Sequence, residues 1–161
     1  MNRKLLEYVY KKYGRELYIY LYSLCKEQTL AEELVQETFA KAILSLSDEH
    51  PNFRAWLYKV GKNLYQNYRK KWGREEQYQE MPEIPYEAGI LERYIQNEEN
   101  QRLYQEILKL QEDQKQVIIL FYFSECSIRE TAEIMGLKEG HVRMLLTRGR
   151  RKLKERLEEE S

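Results

Sequence analysis

Residues 127–153, SIRETAEIMGLKEGHVRMLLTRGRRKL, decide how this chain is read. Ser127 followed by Glu130 is a capping box: the hydroxyl can accept the backbone N–H three residues on, while the carboxylate reaches back, so a helix starts here. Gly136 suits the left-handed conformation that ends a helix, and Leu137 can fold back beneath the turn. A second helix begins near Glu139. Ile128, Ala132, Met135, Val142, Leu146 and Leu153 recur at helical spacing and can join both helices around one small core. His141, Arg143, Met144, Thr147, Arg148 and Arg151 then remain outward. The pattern predicts a helix-turn-helix that offers a positive helix to a groove of DNA. A plain helical hairpin with a solvated basic face is the competing reading, because basic residues near a helix C-terminus also suit its dipole. Charge placement favours the first: residues 139–156 hold seven Arg or Lys against two Glu, in a chain whose totals are 27 and 27.

Across the whole chain, 161 residues with 42% apolar and 34% charged side chains predict one domain or two small ones with modest cores. Gly and Pro are scarce and β-branched runs are few, so the expected class is all-α. No window approaches a membrane span, and MNRKLLEYVYKKYGRELY lacks the apolar core of a signal peptide, which predicts a cytoplasmic protein. Cys25 and Cys126 stand outside any metal-type spacing and read as reduced and structural. Charge alternates along the chain: residues 1–72 carry 13 basic and eight acidic side chains, residues 73–113 four and 11, residues 114–161 ten and eight. Two basic units separated by an acidic one suit two nucleic-acid-binding modules on a tether, or two modules that close on each other.

In the first unit, Leu6, Val9, Tyr10, Tyr13, Leu17, Tyr20, Leu21 and Leu24 predict a helix from about residue 2 or 3 to Lys26. Thr29 and Glu32 form a second capping box, opening a helix to about Leu46 with Leu34, Val35, Thr38, Phe39, Ala42, Ile43 and Leu46 inward. Its polar face, Glu32, Glu33, Gln36, Glu37 and Lys41, is either solvated surface or a docking face for a protein. After the loop SDEHPN, a helix from Phe53 buries Phe53, Trp56, Leu57, Val60, Leu64 and Tyr68. The opposite face shows Arg54, Tyr58, Lys59, Lys62, Asn63, Gln66, Arg69 and Lys70. Basic groups interleaved with an aromatic and amides suit a separated nucleic-acid strand. From Gly73 to about Ala88 the apolar period dissolves into an acidic linker with two prolines. Helical spacing returns from about Gly89 to Leu110, and QEDQKQVIILFYF predicts a buried helix to Phe123.

Four stretches now resemble one family, in its order: the two-domain bacterial sigma factors of the extracytoplasmic-function group. AEELVQETFAKA resembles the family's core-polymerase-binding helix, and FRAWLYKVGKNLYQNYRKK its helix for the melted downstream promoter element. LQEDQKQVIILFYF resembles the opening of its last domain, and SIRETAEIMGLKEGHVRMLLTRGRRKL its upstream-element helix-turn-helix. The resemblance implies two small helical domains, 1–72 and 90–161, joined by a flexible acidic linker, 73–89. It implies core RNA polymerase bound by Glu32, Glu33, Gln36, Glu37 and Lys41. The downstream element would be held by Arg54, Tyr58, Lys59, Lys62, Asn63, Gln66, Arg69 and Lys70 with the 47–54 loop, Asn63 reading a base. The upstream element would be held by Lys138, Glu139, His141, Arg143, Met144, Thr147, Arg148 and Arg151. It further implies promoter DNA and a membrane-anchored anti-sigma factor as partners, and no catalytic centre, cofactor, metal or small-molecule substrate. Departures from the family pattern are Asn67 for a usual Asp, no Pro in LQEDQ, Lys138 at a capping position, and Met144–Leu145 for a commoner Ser–Arg pair. The last points to an unusual upstream element or a weaker one. Two rivals remain: a stand-alone helix-turn-helix regulator, and a helical adaptor that binds only protein.

Overall fold

The computed structural model describes residues 3–45, 52–76 and 97–159. They form seven α-helices and one π-helical turn, with no strand among the described residues, as the all-α reading expects. The first unit comprises α1 (Arg3–Cys25), α2 (Gln28–Ser45) and α3 (Phe53–Glu76). The second comprises α4 (Glu98–Leu108), α5 (Glu112–Ile118) with the π turn Ile119–Phe123, α6 (Ile128–Met135) and α7 (Glu139–Glu159). No described helix is long and apolar enough to cross a membrane.

Three-helix packing in the first unit buries Leu17, Leu21, Leu34, Val35, Phe39 and Leu57. The buried Thr38 hydroxyl donates to Leu34 O at 2.6 Å, so it enters the core satisfied. Lys26 closes α1 in the left-handed region (φ 55°), its N–H donating to Tyr22 O at 2.8 Å. This early reversal moves the start of α2. Helical bonding begins with Ala31 N–H to Glu27 O at 3.0 Å, ahead of Thr29, so the expected Thr29–Glu32 capping box is not the entry. At the start of α3, Asn52 Oδ1 accepts from Ala55 N–H at 3.4 Å. Helix α3 extends to Glu76, so residues 73–76 are helical where linker was expected; residues 77–96 lie outside the described ones.

In the second unit Asn97 caps α4, its Oδ1 accepting from Glu99 N–H at 2.8 Å, and Glu98 and Glu99 suit the positive end of the helix. The expected helix through IILFYF forms, but its end widens into a π turn. Ser124 N–H reaches Ile119 O at 3.0 Å and Cys126 N–H reaches Leu120 O at 2.9 Å. The helix-turn-helix follows the local signals closely. Ser127 Oγ accepts from Glu130 N–H, and Glu130 Oε1 accepts from Ser127 N–H, each at 3.0 Å. Gly136 sits at φ 66°, and Leu137 N–H returns to Ala132 O at 2.9 Å. Burial raises the Cys126 thiol to about 12, which keeps this free cysteine protonated and inert.

Helices α5 and α7 cross closely at Gly149, where an added Cβ would stand 3.0 Å from Ile118 Cγ1 and 3.2 Å from Cδ1. Gly149→Val is expected to destabilise the second unit by about 1–3 kcal/mol through overpacking. Urea unfolding followed by circular dichroism checks this; an unchanged midpoint would show that α7 can shift away at no cost.

Candidate nucleic-acid interface

Helix α7 turns the residues expected to face outward toward solvent. His141, Arg143, Met144, Thr147, Arg148 and Arg151 are all exposed, and His141, Met144, Arg148 and Arg151 follow at three- and four-residue steps along one stripe. Lys138 and Glu139 are exposed at its start, where Lys138 O accepts from Val142 N–H at 3.1 Å. Thr147 Oγ1 donates to Arg143 O at 3.0 Å, leaving its oxygen as an acceptor on the surface. Leu145 corrects the reading of the Met144–Leu145 pair. It is 5% exposed and belongs with Val142, Leu146, Gly149 and Leu153 on the buried side, so Met144 alone of the two faces outward. Arg150 turns back onto its own unit. Its guanidinium lies 5.7 Å from the Phe121 ring centre and 5.4 Å from that of Tyr122, and it hydrogen-bonds the Tyr122 hydroxyl.

The basic face of α3 is divided. Asn63, Gln66, Arg69 and Lys70 are exposed, as expected. Tyr58 is not. It is fully buried, donating to Ser124 Oγ at 2.8 Å and packing against the Tyr20 ring at 5.3 Å. Its expected place on an outward DNA-binding face fails in this conformation because the second unit lies across the first half of α3. Arg54 NH1 donates to Glu125 O at 3.1 Å, approaches Glu130 Oε1 at 4.0 Å and lies over the Tyr13 ring at 5.6 Å. Lys59 Nζ pairs with Glu133 Oε1 at 3.1 Å, and Asn52 Nδ2 donates to the other oxygen of Glu133 at 3.3 Å. Lys62 Nζ reaches Met135 Sδ at 3.7 Å; desolvation lowers its pKa, opposed by the charges of Asp113 and Glu112. Within the 47–54 loop, residues 47–51 lie outside the described ones.

The junction between the units is polar as well as apolar. Tyr20 OH donates to Gln116 Oε1 at 2.8 Å, Tyr104 OH to Ile19 O at 2.6 Å, and Lys115 Nζ to Ser23 O at 2.7 Å. Lys115 also pairs with Glu112 at 2.7 Å; burial lowers its pKa, and Glu112 restores part of the loss. Glu16 of α1 lies in the same region. Desolvation raises its carboxyl, Arg54 opposes that, and Glu125 adds to it.

The expected polymerase face of α2 spreads over two clefts. Glu33, Gln36 and Glu37 share a groove with Leu30, Leu64 and Tyr68 between α2 and α3, while Glu32 and Gln36 border a cleft with Tyr10 and Arg15 of α1. Lys41 is exposed beyond them. Asn67, the departure from the family pattern, lines the α2–α3 groove rather than the stripe that carries Asn63 and Gln66.

Comparison with known proteins matches both units. Residues 9–75 match the Sigma-70 region 2 family model and residues 100–153 the Sigma-70, region 4 model. RNA polymerase sigma factor YlaC of Bacillus subtilis (strain 168) is 31% identical over 166 residues, covering 97% of this chain and 94% of that protein. Among solved structures, CnrH in complex with the cytosolic domain of CnrY has a TM-score of 0.70 at 26% identity, covering 99% of this chain and 92% of CnrH. The sigma factor RpoE in complex with the anti-sigma factor NepR, from Bartonella quintana, has a TM-score of 0.68 at 28% identity, covering 88% and 89%. With both regions matched in order, and with a relative matched along nearly its whole length, this chain belongs to the extracytoplasmic-function group of bacterial RNA polymerase sigma factors.

Proposed function

We propose that three surfaces of this sigma factor divide its work: α2 docks on core polymerase, α3 holds the melted downstream element, and α7 reads the upstream element as duplex. The observation that carries the proposal is the exposed stripe of His141, Met144, Arg148 and Arg151 on a helix-turn-helix built by its own capping signals. Arginines along such a stripe position the helix by phosphate contacts, while His141 and Met144 meet base edges and confer this protein's own preference. On α3, Asn63 and Gln66 can donate to and accept from an exposed base, and Arg69 and Lys70 supply backbone charge. The groove holding Glu33, Gln36 and Glu37 gives polymerase an acidic edge beside apolar ground. Neither domain needs to bind tightly alone, because tethering combines two weak contacts on a correctly spaced promoter.

The protein carries out no chemistry of its own in this reading; catalysis stays with polymerase. It works in the cytoplasm, where polymerase and chromosome are. Similarity to the NepR-bound factor supports an anti-sigma partner for this chain too. A stand-alone helix-turn-helix regulator is the weaker reading, since it leaves the region 2 match over residues 9–75 without a purpose.

Core polymerase supplemented with the purified protein should start transcripts on a genomic library that core alone does not start; identical products with and without it would end the proposal. Glu37→Lys should abolish co-purification with core while the helical circular dichroism spectrum stays unchanged, and retained co-purification would remove Glu37 from the docking face. Arg148→Ala should weaken upstream binding on all sequences alike and reduce the salt slope by about one. Loss confined to one base pair would make Arg148 a base reader instead.

A further inference from the structure

Helix α1 carries a charged side to which the three surfaces above assign no task. Residues 3–15 hold five basic side chains and one acidic. Lys4, Tyr8, Lys11, Lys12 and Arg15 are exposed and follow at three- and four-residue steps, so they share one stripe. The stripe divides. Lys11 and Arg15 border the α1–α2 cleft with Glu32 and Gln36, on the polymerase side. Lys12 leans the other way, its Nζ 6.0 Å from the centre of the Tyr8 ring and 5.3 Å from that of Tyr13. Over the same Tyr13 ring, at 5.6 Å, lies the guanidinium of Arg54 from α3. One aromatic ring therefore joins a cation of α1 to the first cation of the α3 face.

We propose that Tyr8 and Lys12 form a further strand-holding site on α1, which continues the grip of α3 past Arg54 along a separated nucleic-acid strand. The proposal rests on reading α3 as the strand-holding face. A separated strand offers unstacked bases and a phosphate at every nucleotide, and a phenol ring beside an ammonium answers both. Tyr8 is 61% exposed while Val9 beside it is buried, so α1 holds this ring outside its own core.

Other partners fit the pair less well. An acidic protein surface would use the charge of Lys12 and leave the Tyr8 ring in water. A membrane surface would need an apolar stripe next to the cations, and Val9 and Leu17 are committed to the core. Glu16 supports the junction of the two helices. Its charge interacts with Arg54, Arg15 and Lys12, which lets cations of α1 and α3 gather with less mutual repulsion. Tyr8 and Lys12 are both exposed in this structure, so the site needs no rearrangement to meet a strand.

The test measures anisotropy of a fluorescein-labelled oligothymidylate of about 12 nucleotides, a length that one binding fold can span, titrated with the full chain. Tyr8→Ala should weaken binding about fivefold, the low end for loss of one stacked base, and Tyr8→Phe should bind as wild type does. Lys12→Gln should flatten the dependence of log affinity on log salt by about 0.7, as loss of one phosphate contact on a single strand requires, and Lys12→Arg should restore it. Circular dichroism checks that each variant keeps its helices, and co-purification with core polymerase should not change. Wild-type affinity in Tyr8→Ala together with a wild-type salt slope in Lys12→Gln overturns the site. Lost co-purification with unchanged oligonucleotide binding overturns it as well, because the face then belongs to polymerase. A parallel variant, Asn63→Ala with Gln66→Ala, separates the two readings. If it weakens binding and the α1 variants do not, the α1 site falls and the α3 reading stands. The reverse result overturns the α3 reading and with it the shared path.

Discussion

A buried phenol must find a hydrogen-bond partner or forfeit much of what its ring gains by burial, and this fold buries three of them where its two units meet. Tyr20, Tyr58 and Tyr104 are each fully buried, and each donates to an oxygen of, or beside, the opposite unit: Gln116, Ser124 and Ile19 O. Burial raises the pKa of Tyr20 and Tyr58 well above that of a free phenol, so both remain donors at any physiological pH. Leaving such a donor unpaired in a closed junction costs about 1–3 kcal/mol. The two units therefore have one register in which they can close. The apolar core then runs through both, with Leu17 and Leu57 in the same cluster as Val117 and Leu120.

What was legible in the sequence is what short-range chemistry decides. Ser127 and Glu130 are three residues apart, Gly136 stands at the turn itself, and the buried stripe of α7 follows helical spacing, so the helix-turn-helix could be read directly. Tyr58 could not. Helical periodicity assigns a residue to the inner or outer face of its own three-helix unit, and Tyr58 lies on the outer one. Its burial comes from Ser124, 66 positions away. Lys59 and Glu133 are likewise 74 positions apart, and no local spacing announces the pair. The π turn escaped for a different reason: IILFYF reads as continuous helix, and the wider turn is accompanied by burial of Ser124 and Cys126, far from any local signal. On α2 the polar face was read correctly as outward, but its two neighbours, α1 and α3, divide it into separate clefts.

Charge is placed along the chain to suit the junction. Whole-chain charge is balanced at 27 and 27, but the balance is local at the junction. Helix α6 turns Glu130 and Glu133 toward α3, and α7 turns its arginines away. A helix-turn-helix needs only its second helix for the groove, so the first is free to carry acids. Those acids would repel a phosphate backbone if they faced DNA, yet against Arg54 and Lys59 they neutralise charges that would otherwise repel one another.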